Sequence, residues 1–223
     1  MRPFGQTELF FIIAALRWTA ALSVGALLIG GLGGIIVAVA RVQPARPLRW
    51  VAGGFIEVFQ DTPLLLQLFV AFFGLGIVGI NVDAWTAAMI ALSLHTAAFL
   101  GEIWRGSIQA IPGTQWEASR ALSLSWLQAL RLVVLPQAVR ISIAPTVGFL
   151  VQLIKGTSVT ALIGFLEVTR AGQLVSNVTL QPFTVYSVVA LLYVLLCWPL
   201  SFASQRLEAG LAISTRRTPG RAV

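Results

Sequence analysis

Residues 117–138 read EASRALSLSWLQALRLVVLPQA, from Glu117 to Ala138. The stretch lies between two long apolar segments, yet it is too polar to cross a bilayer and too apolar for a loose linker. Trp116 to Leu122 and Trp126 to Val134 each read as short helices, separated by the small residues Ser123 and Ser125. In the second, Trp126, Leu130 and Val134 recur every four residues and form one apolar stripe, with Gln128 and Arg131 elsewhere on the circumference. Pro136 is expected to end that helix. Two such helices, held at both ends by membrane segments, either pass on a push from a docked soluble partner or rest on the lipid headgroups.

Composition places the chain in lipid. Hydrophobic residues make up 57% and charged residues 10%, and the mean hydropathy is +0.88, whereas charged residues are about a quarter of a soluble domain. The 223 residues leave room for about five or six spans in one membrane domain, and none for a large soluble catalytic domain. Cys197 is alone in an apolar run and there is one His, so no disulfide framework and no metal site is expected. The net charge of +7 comes from arginines scattered at the ends of apolar segments. They are not clustered among aromatics, so the expected partner is the bilayer and not nucleic acid.

Apolar runs long enough for a bilayer predict spans at 18–40, 62–78, 84–104, 141–154 and 185–203, with a cytoplasmic loop at 105–138. Gly30 and Gly34 fall one turn apart in the first span; they are a small-residue packing face or simply the glycine common in membrane helices. Pro145 predicts a kink in the short fourth span. Segments 6–16 and 159–181 read as interfacial or partly inserted helices. The N-terminus is a poor signal peptide, because Arg17 stops its apolar run and no cleavage site is evident. Most of the 15 Lys and Arg fall on one side: Arg41, Arg46 and Arg49, then Arg105, Arg120, Arg131 and Arg140, then Arg206, Arg216, Arg217 and Arg221. The other side receives Arg2, Arg17, Lys155 and Arg170. The positive-inside tendency therefore puts the N-terminus outside and the C-terminus in the cytosol.

The opening stretch resembles the EAA signature of bacterial ATP-binding-cassette importer permeases, in which Glu-Ala-Ala, a nearby Gly and a downstream Leu-Pro mark the cytoplasmic loop that docks on the ATPase. Glu117, Ala118, Leu122, Leu135, Pro136, Gln137 and Ala138 match. Ser119 replaces the second Ala, and Ser123 replaces the usual Gly, so the turn there must be made by a residue less free at positive φ. The blocks DTPLLLQLFVAFFGLG, LSLHTAAFLGEIWRGSIQAIPGTQWEA and KGTSVTALIGFLEVTRAG are similar to those of the polar amino acid permease subfamily, whose members serve residues such as His, Glu, Gln and Arg. The resemblance implies an all-α integral membrane protein of the type I importer fold: five transmembrane helices and a cytoplasmic EAA helix pair in the bacterial inner membrane. It implies a second permease subunit, the same chain or a related one, two ATPases beneath the pair, and an extracytoplasmic binding protein that delivers the amino acid. Glu117, Ala118, Ser119, Leu122, Ser123, Leu135 and Pro136 would couple to the ATPase, Glu117 as a contact or as a cap of the first helix. ATP and Mg would sit on the partner, since KGTS at Lys155 lacks the upstream glycines of a phosphate loop and the chain is expected to bind no cofactor.

Polar groups inside spans invite a functional account. His95 is either a pore-lining hydrogen-bonder or a buried histidine bonded to a neighbouring helix. Gln67, Gln152, Lys155, Thr157, Ser158 and Glu167 are the other candidates for the substrate path. Glu102 and Arg105, three residues apart, are expected to pair. Gly156 stands where the resembled family carries Asp, which implies an acidic or neutral substrate, and Asp61 gives FQDTP in place of FRGTP. A self-sufficient channel or secondary transporter would favour internal repeats or charged relays, and neither is found. A membrane-embedded hydrolase would need paired His and carboxylates, which one histidine does not supply.

Overall fold

The computed structural model describes residues 4–216 and shows only helices and connecting turns among them; Arg2, Arg217 and Arg221 of the charge reading above lie outside the described residues. In chain order the helices are α1 (Gln6–Val42), α2 (Arg46–Asp61), α3 (Leu64–Ile77), α4 (Ala84–Gln109), α5 (Gly113–Ala121), α6 (Trp126–Ile163), α7 (Val168–Thr179) and α8 (Pro182–Arg216). Gln6–Val42, Ala84–Gln109, Trp126–Ile163 and Pro182–Leu207 are long and apolar enough to cross a membrane, and α2 with α3, bent by 102°, together have the length and composition of a broken span or a re-entrant loop.

The first helix is longer than the expected span and absorbs segment 6–16. Arg17 does not interrupt it, because its guanidinium lies outward over the Trp18 ring. Ile12, Ala15, Thr19, Leu22 and Ala26 meanwhile continue one buried stripe at helical spacing past the charge. The stripe's upper part packs on Val168, Ala171 and Val175 of α7 and Val185 and Val189 of α8. Segment 159–181 is therefore inserted between helices. Its first part is a tight-turned extension of α6, Gly164 then turns the chain at φ 84°, and α7 follows.

The closest helix contact is between α1 and α4, and small residues permit it. A methyl group added at Gly30 would lie 2.6 Å from the Ser93 carbonyl oxygen, and one at Gly34 3.2 Å from the Gly101 amide nitrogen. These glycines form the packing face, the arrangement expected where apolar lipid gives no other drive for helices to associate. Two polar links join the other spans: Trp104 Nε1 donates to Thr146 Oγ1 at 3.0 Å, and Ser204 Oγ to the Ala144 carbonyl at 3.0 Å. Asp83 caps α4 by accepting from the Thr86 amide, and its bond to Thr86 holds its carboxyl below the usual carboxylate range.

The expected second span, 62–78, begins in a break. Thr62, held extended before Pro63, separates α2 from α3. At about 1.5 Å per residue α3 alone is shorter than a bilayer's apolar core. Gln67 closes the break: its Nε2 donates to the carbonyls of Phe59 and Thr62, both at 2.8 Å.

The fourth span also differs from the expected 141–154. Pro136 does not stop the helix that begins at Trp126, which runs on as α6 past Pro145. A wide π-type turn at Leu130–Val134 immediately precedes the proline. It makes room for a ring that would otherwise strike the carbonyl four residues back, and Gln137 Nε2 takes the nearby Val133 carbonyl at 2.7 Å.

Replacing Gly30 with Val would wedge α1 from α4. The purified protein in detergent is expected to lose about 1–3 kcal/mol, read as a lower midpoint in a thermal unfolding scan. An unchanged midpoint would show that the two helices have room to spare.

Candidate coupling surface and translocation path

The coupling segment is built from α5, a turn and the start of α6. Ser123 makes the turn at φ 56°, so the residue standing in the usual Gly position does adopt the left-handed conformation expected of it. Ser125 then caps α6 in a reciprocal pair: its hydroxyl oxygen accepts from the Gln128 amide, and Gln128 Oε1 accepts from the Ser125 amide at 2.9 Å. Trp126, Leu130 and Val134 pack inward as the periodicity implies, on Ile108 and Ile111 at the end of α4.

The opposite face is free. Glu117, Ala118, Leu122, Ser123 and Pro136 are exposed, and Leu122 is 75% exposed at the tip of the segment. Glu117 lies within α5, whose cap position is Pro112, so its reading as a helix cap does not hold. Ser119 and Leu135 face inward and do not reach the free face: Ser119 is buried with its hydroxyl on the Gln115 carbonyl at 2.8 Å, and Leu135 packs in the cluster around Val134. Leu127 and Leu132, both 63% exposed, extend the free apolar surface. They were not singled out in the sequence, although both fall off the buried stripe.

The candidate path residues separate into three groups. Gln67 gives its Nε2 to the α2–α3 break, and its Oε1 is buried without a hydrogen-bond partner. His95 is half-buried, its ring tilted by 37° against Phe99 and lying near Phe149, with ring centroids 4.5 and 6.5 Å away; its Nδ1 has no hydrogen-bond partner, while the Phe59 backbone of α2 is a hydrogen-bond neighbour of the imidazole. Thr157 and Ser158 donate their hydroxyls to the carbonyls of Ile154 and Lys155 at 2.7 and 2.6 Å, a local use that leaves neither free to donate elsewhere.

Glu167 is fully buried and caps α7. Its oxygens accept from the amides of Thr169 and Arg170 at 2.9 and 2.8 Å and from the Tyr193 hydroxyl at 2.7 Å. It thus faces no open path. Thr19 Oγ1 adds a cap from α1, accepting from the Val168 amide at 3.4 Å. Gln152 and Lys155 are the exposed pair, three residues apart on α6. Tyr193, which the sequence did not single out, joins the Lys155 and Glu167 surroundings from α8. Near the C-terminal end of α4 Arg105 pairs with Glu102, its Nε donating to Oε2 at 2.7 Å. A methyl added at Gly156 would lie 3.1 Å from Leu64 Cδ2, so close packing against α3 accompanies the absence of Asp there. Nothing in the structure explains Asp61, which is exposed at the end of α2.

The family described as binding-protein-dependent transport system inner membrane component matches residues 30–213. The chain belongs to that family. It is 37% identical over 178 residues to a probable glutamine ABC transporter permease protein of Bacillus subtilis, covering 80% of this chain and 82% of the relative. It is 34% identical to the L-cystine transport system permease protein of the same organism, over 87% of this chain and 83% of that one. A crystal structure of an amino acid ABC transporter with histidines superposes with a TM-score of 0.83 at 32% identity, over 89% of this chain and 93% of that chain. The fold is that of a type I importer permease, and the chain is a transport component of the inner membrane, a permease of the ABC importer class and not a self-sufficient channel.

Two substitutions probe the local readings. Ser123→Gly relieves a left-handed residue and is expected to stabilise the protein by about 1 kcal/mol in thermal unfolding; a lower midpoint would contradict the turn geometry. Glu167→Ala removes the α7 cap and is expected to cost about 1–2 kcal/mol, with Glu167→Gln intermediate. Equal midpoints for the three proteins would dismiss the cap.

Proposed function

We propose that this chain is the permease of an ATP-driven importer for polar amino acids with acidic or neutral side chains. It pairs with a second permease, the same chain or a related one, above two ATPases that hold ATP and Mg, while an extracytoplasmic binding protein delivers the substrate. The permease itself binds no cofactor and hydrolyses nothing. Its single domain, 1–223, has the N-terminus outside and the C-terminus in the cytosol. ATP binding closes the ATPase pair and opens the path outward, and release after hydrolysis opens it inward.

The observation that carries this reading is the two-sidedness of the coupling segment. Its outer face presents Glu117, Ala118, Leu122 and Ser123 uncovered, and its inner face is buried against the end of α4. Its second helix is also the start of a span. A displacement of the segment therefore reaches α4 by packing and α6 through the backbone itself. Of the residues assigned to coupling, Ser119 and Leu135 hold the segment on the bundle, and the exposed ones meet the ATPase. Gln152 and Lys155 support a path along the exposed flank of α6; Gln67, His95, Thr157, Ser158 and Glu167 shape the wall behind it. Relatives named for glutamine and for cystine support an amino acid as cargo.

Leu122→Asp places a charge at the centre of the docking face. Co-purification of the ATPase is expected to fall about tenfold, and uptake into vesicles with it, while the permease remains folded. An ATPase that still co-purifies at the original ratio would refute docking on this face.

A further inference from the structure

Arg41 follows the charge-free run of α1 at residues 18–40, and its guanidinium lies against α2, where Nη1 donates to the Arg49 carbonyl at 3.3 Å. Gly53 gives it room: a methyl group added there would lie 3.0 Å from Nη1. The Nε of Arg41 is buried without an acceptor, and the Nε2 of Gln43, two residues on, lacks one as well. An arginine can only donate, so what is missing beside it is an acceptor. Among the described residues the only ion pair joins Arg105 to Glu102, which leaves Arg41 and Arg49 without a carboxylate in direct contact. Glu57 shares a cavity with both on the α2 side but makes no such pair.

Arg41 and Arg49 also line a cavity of about 530 Å³ that Trp116 and Trp126 of the coupling segment close from the other side. Ile108 of α4 lines this cavity and, in addition, an apolar groove of about 480 Å³ between α1, α4 and α6, walled by Val39, Trp104, Val139 and Ile143. All three helices are long and apolar enough to cross a membrane. One surface thus offers positive charge and indole rings at one end and a slot for hydrocarbon at the other. We propose that it binds an anionic phospholipid, with the phosphate on Arg41 and Arg49 and an acyl chain in the groove between α1, α4 and α6. The guanidinium fork matches phosphate oxygens, basic pockets between membrane helices take such headgroups, and tryptophan favours the headgroup level. A carboxylate of a docked soluble protein would satisfy the arginines and leave the groove open. A second copy of this chain would cover the groove but carries the same arginines at that end. A lipid answers both needs, and its headgroup, held between α2 and the two tryptophans, braces the coupling segment.

The test titrates the delipidated full chain in detergent, by native mass spectrometry, with dioleoylphosphatidylglycerol and dioleoylphosphatidylcholine, which share their chains and differ in net charge. The first is expected to bind about thirtyfold more tightly, the effect of two arginines near a headgroup, and to raise the thermal midpoint. Arg41→Gln combined with Arg49→Gln is expected to remove the preference, and the corresponding pair of lysine variants to keep about half of it. Arg46→Gln, at an exposed arginine that lines neither cavity, should leave it unchanged. Val139→Trp fills the groove and should weaken both lipids about tenfold. Equal affinity for the two lipids in the unmodified chain overturns the proposal, as does an equal loss with Arg46→Gln. Displacement of the lipid by millimolar glycerol phosphate would reduce the site to an anion cavity without a chain groove and also overturns it. So does a dimer that Val139→Trp dissociates while the lipid preference survives, which would give the groove to a second copy. An intact preference in the double glutamine variant, with loss of a co-expressed ATPase on purification, would give the arginines to the soluble partner and overturn it too. Should the double glutamine variant fail to fold, the lysine pair and the two lipids on the unmodified chain still decide.

Discussion

Inside a bilayer no water is available to satisfy a backbone amide or carbonyl, so each interruption of a helix must be closed by a side chain or a neighbouring turn. Two breaks between helices and one widened turn within α6 shape this protein, and each has its own closure. Gln67 bonds the two carbonyls left at the α2–α3 bend, Gln137 bonds the Val133 carbonyl beside Pro136, and Glu167 with Thr19 collects the first amides of α7. The irregular shape that distinguishes the chain from a bundle of straight rods depends on these few polar groups. Two of them, Gln67 and Glu167, are also candidates for the substrate path.

The architecture joins a rigid part to an exposed one. The α1–α4 pair, closed by Gly30 and Gly34, leaves no space for sliding, and the coupling segment rests on the end of α4. The flank of α6 and α8 that carries Gln152, Lys155 and Trp198 is open within the single chain.

Much of the fold could be read from the residues. The apolar stripe of Trp126, Leu130 and Val134, the strained turn at Ser123 and the pairing of Glu102 with Arg105 all follow from local spacing, and local spacing is visible in a sequence. The continuity of α6 through Pro136 was not, because whether a proline breaks a helix depends on the width of the turn before it, and periodicity carries no such information. Arg17 misled in the same way, since a charge interrupts a span only if it points into the packed face. Glu167 could have been read as a cap from the Thr169 and Arg170 amides that follow it, but glutamate is an uncommon cap, and its partner Tyr193 is 26 residues away.

The unbroken length of α6 also sets a scale for motion. A rod pivoting where it enters the membrane converts a small angular change at its N-terminal tip into a translation of its far half: a tilt of about 5° over about 30 Å of helix moves the opposite end by about 2.6 Å. That is close to the radius of a carboxylate, so a few degrees at the base suffice to open or close a gap of that size beside α6 without any helix having to unwind.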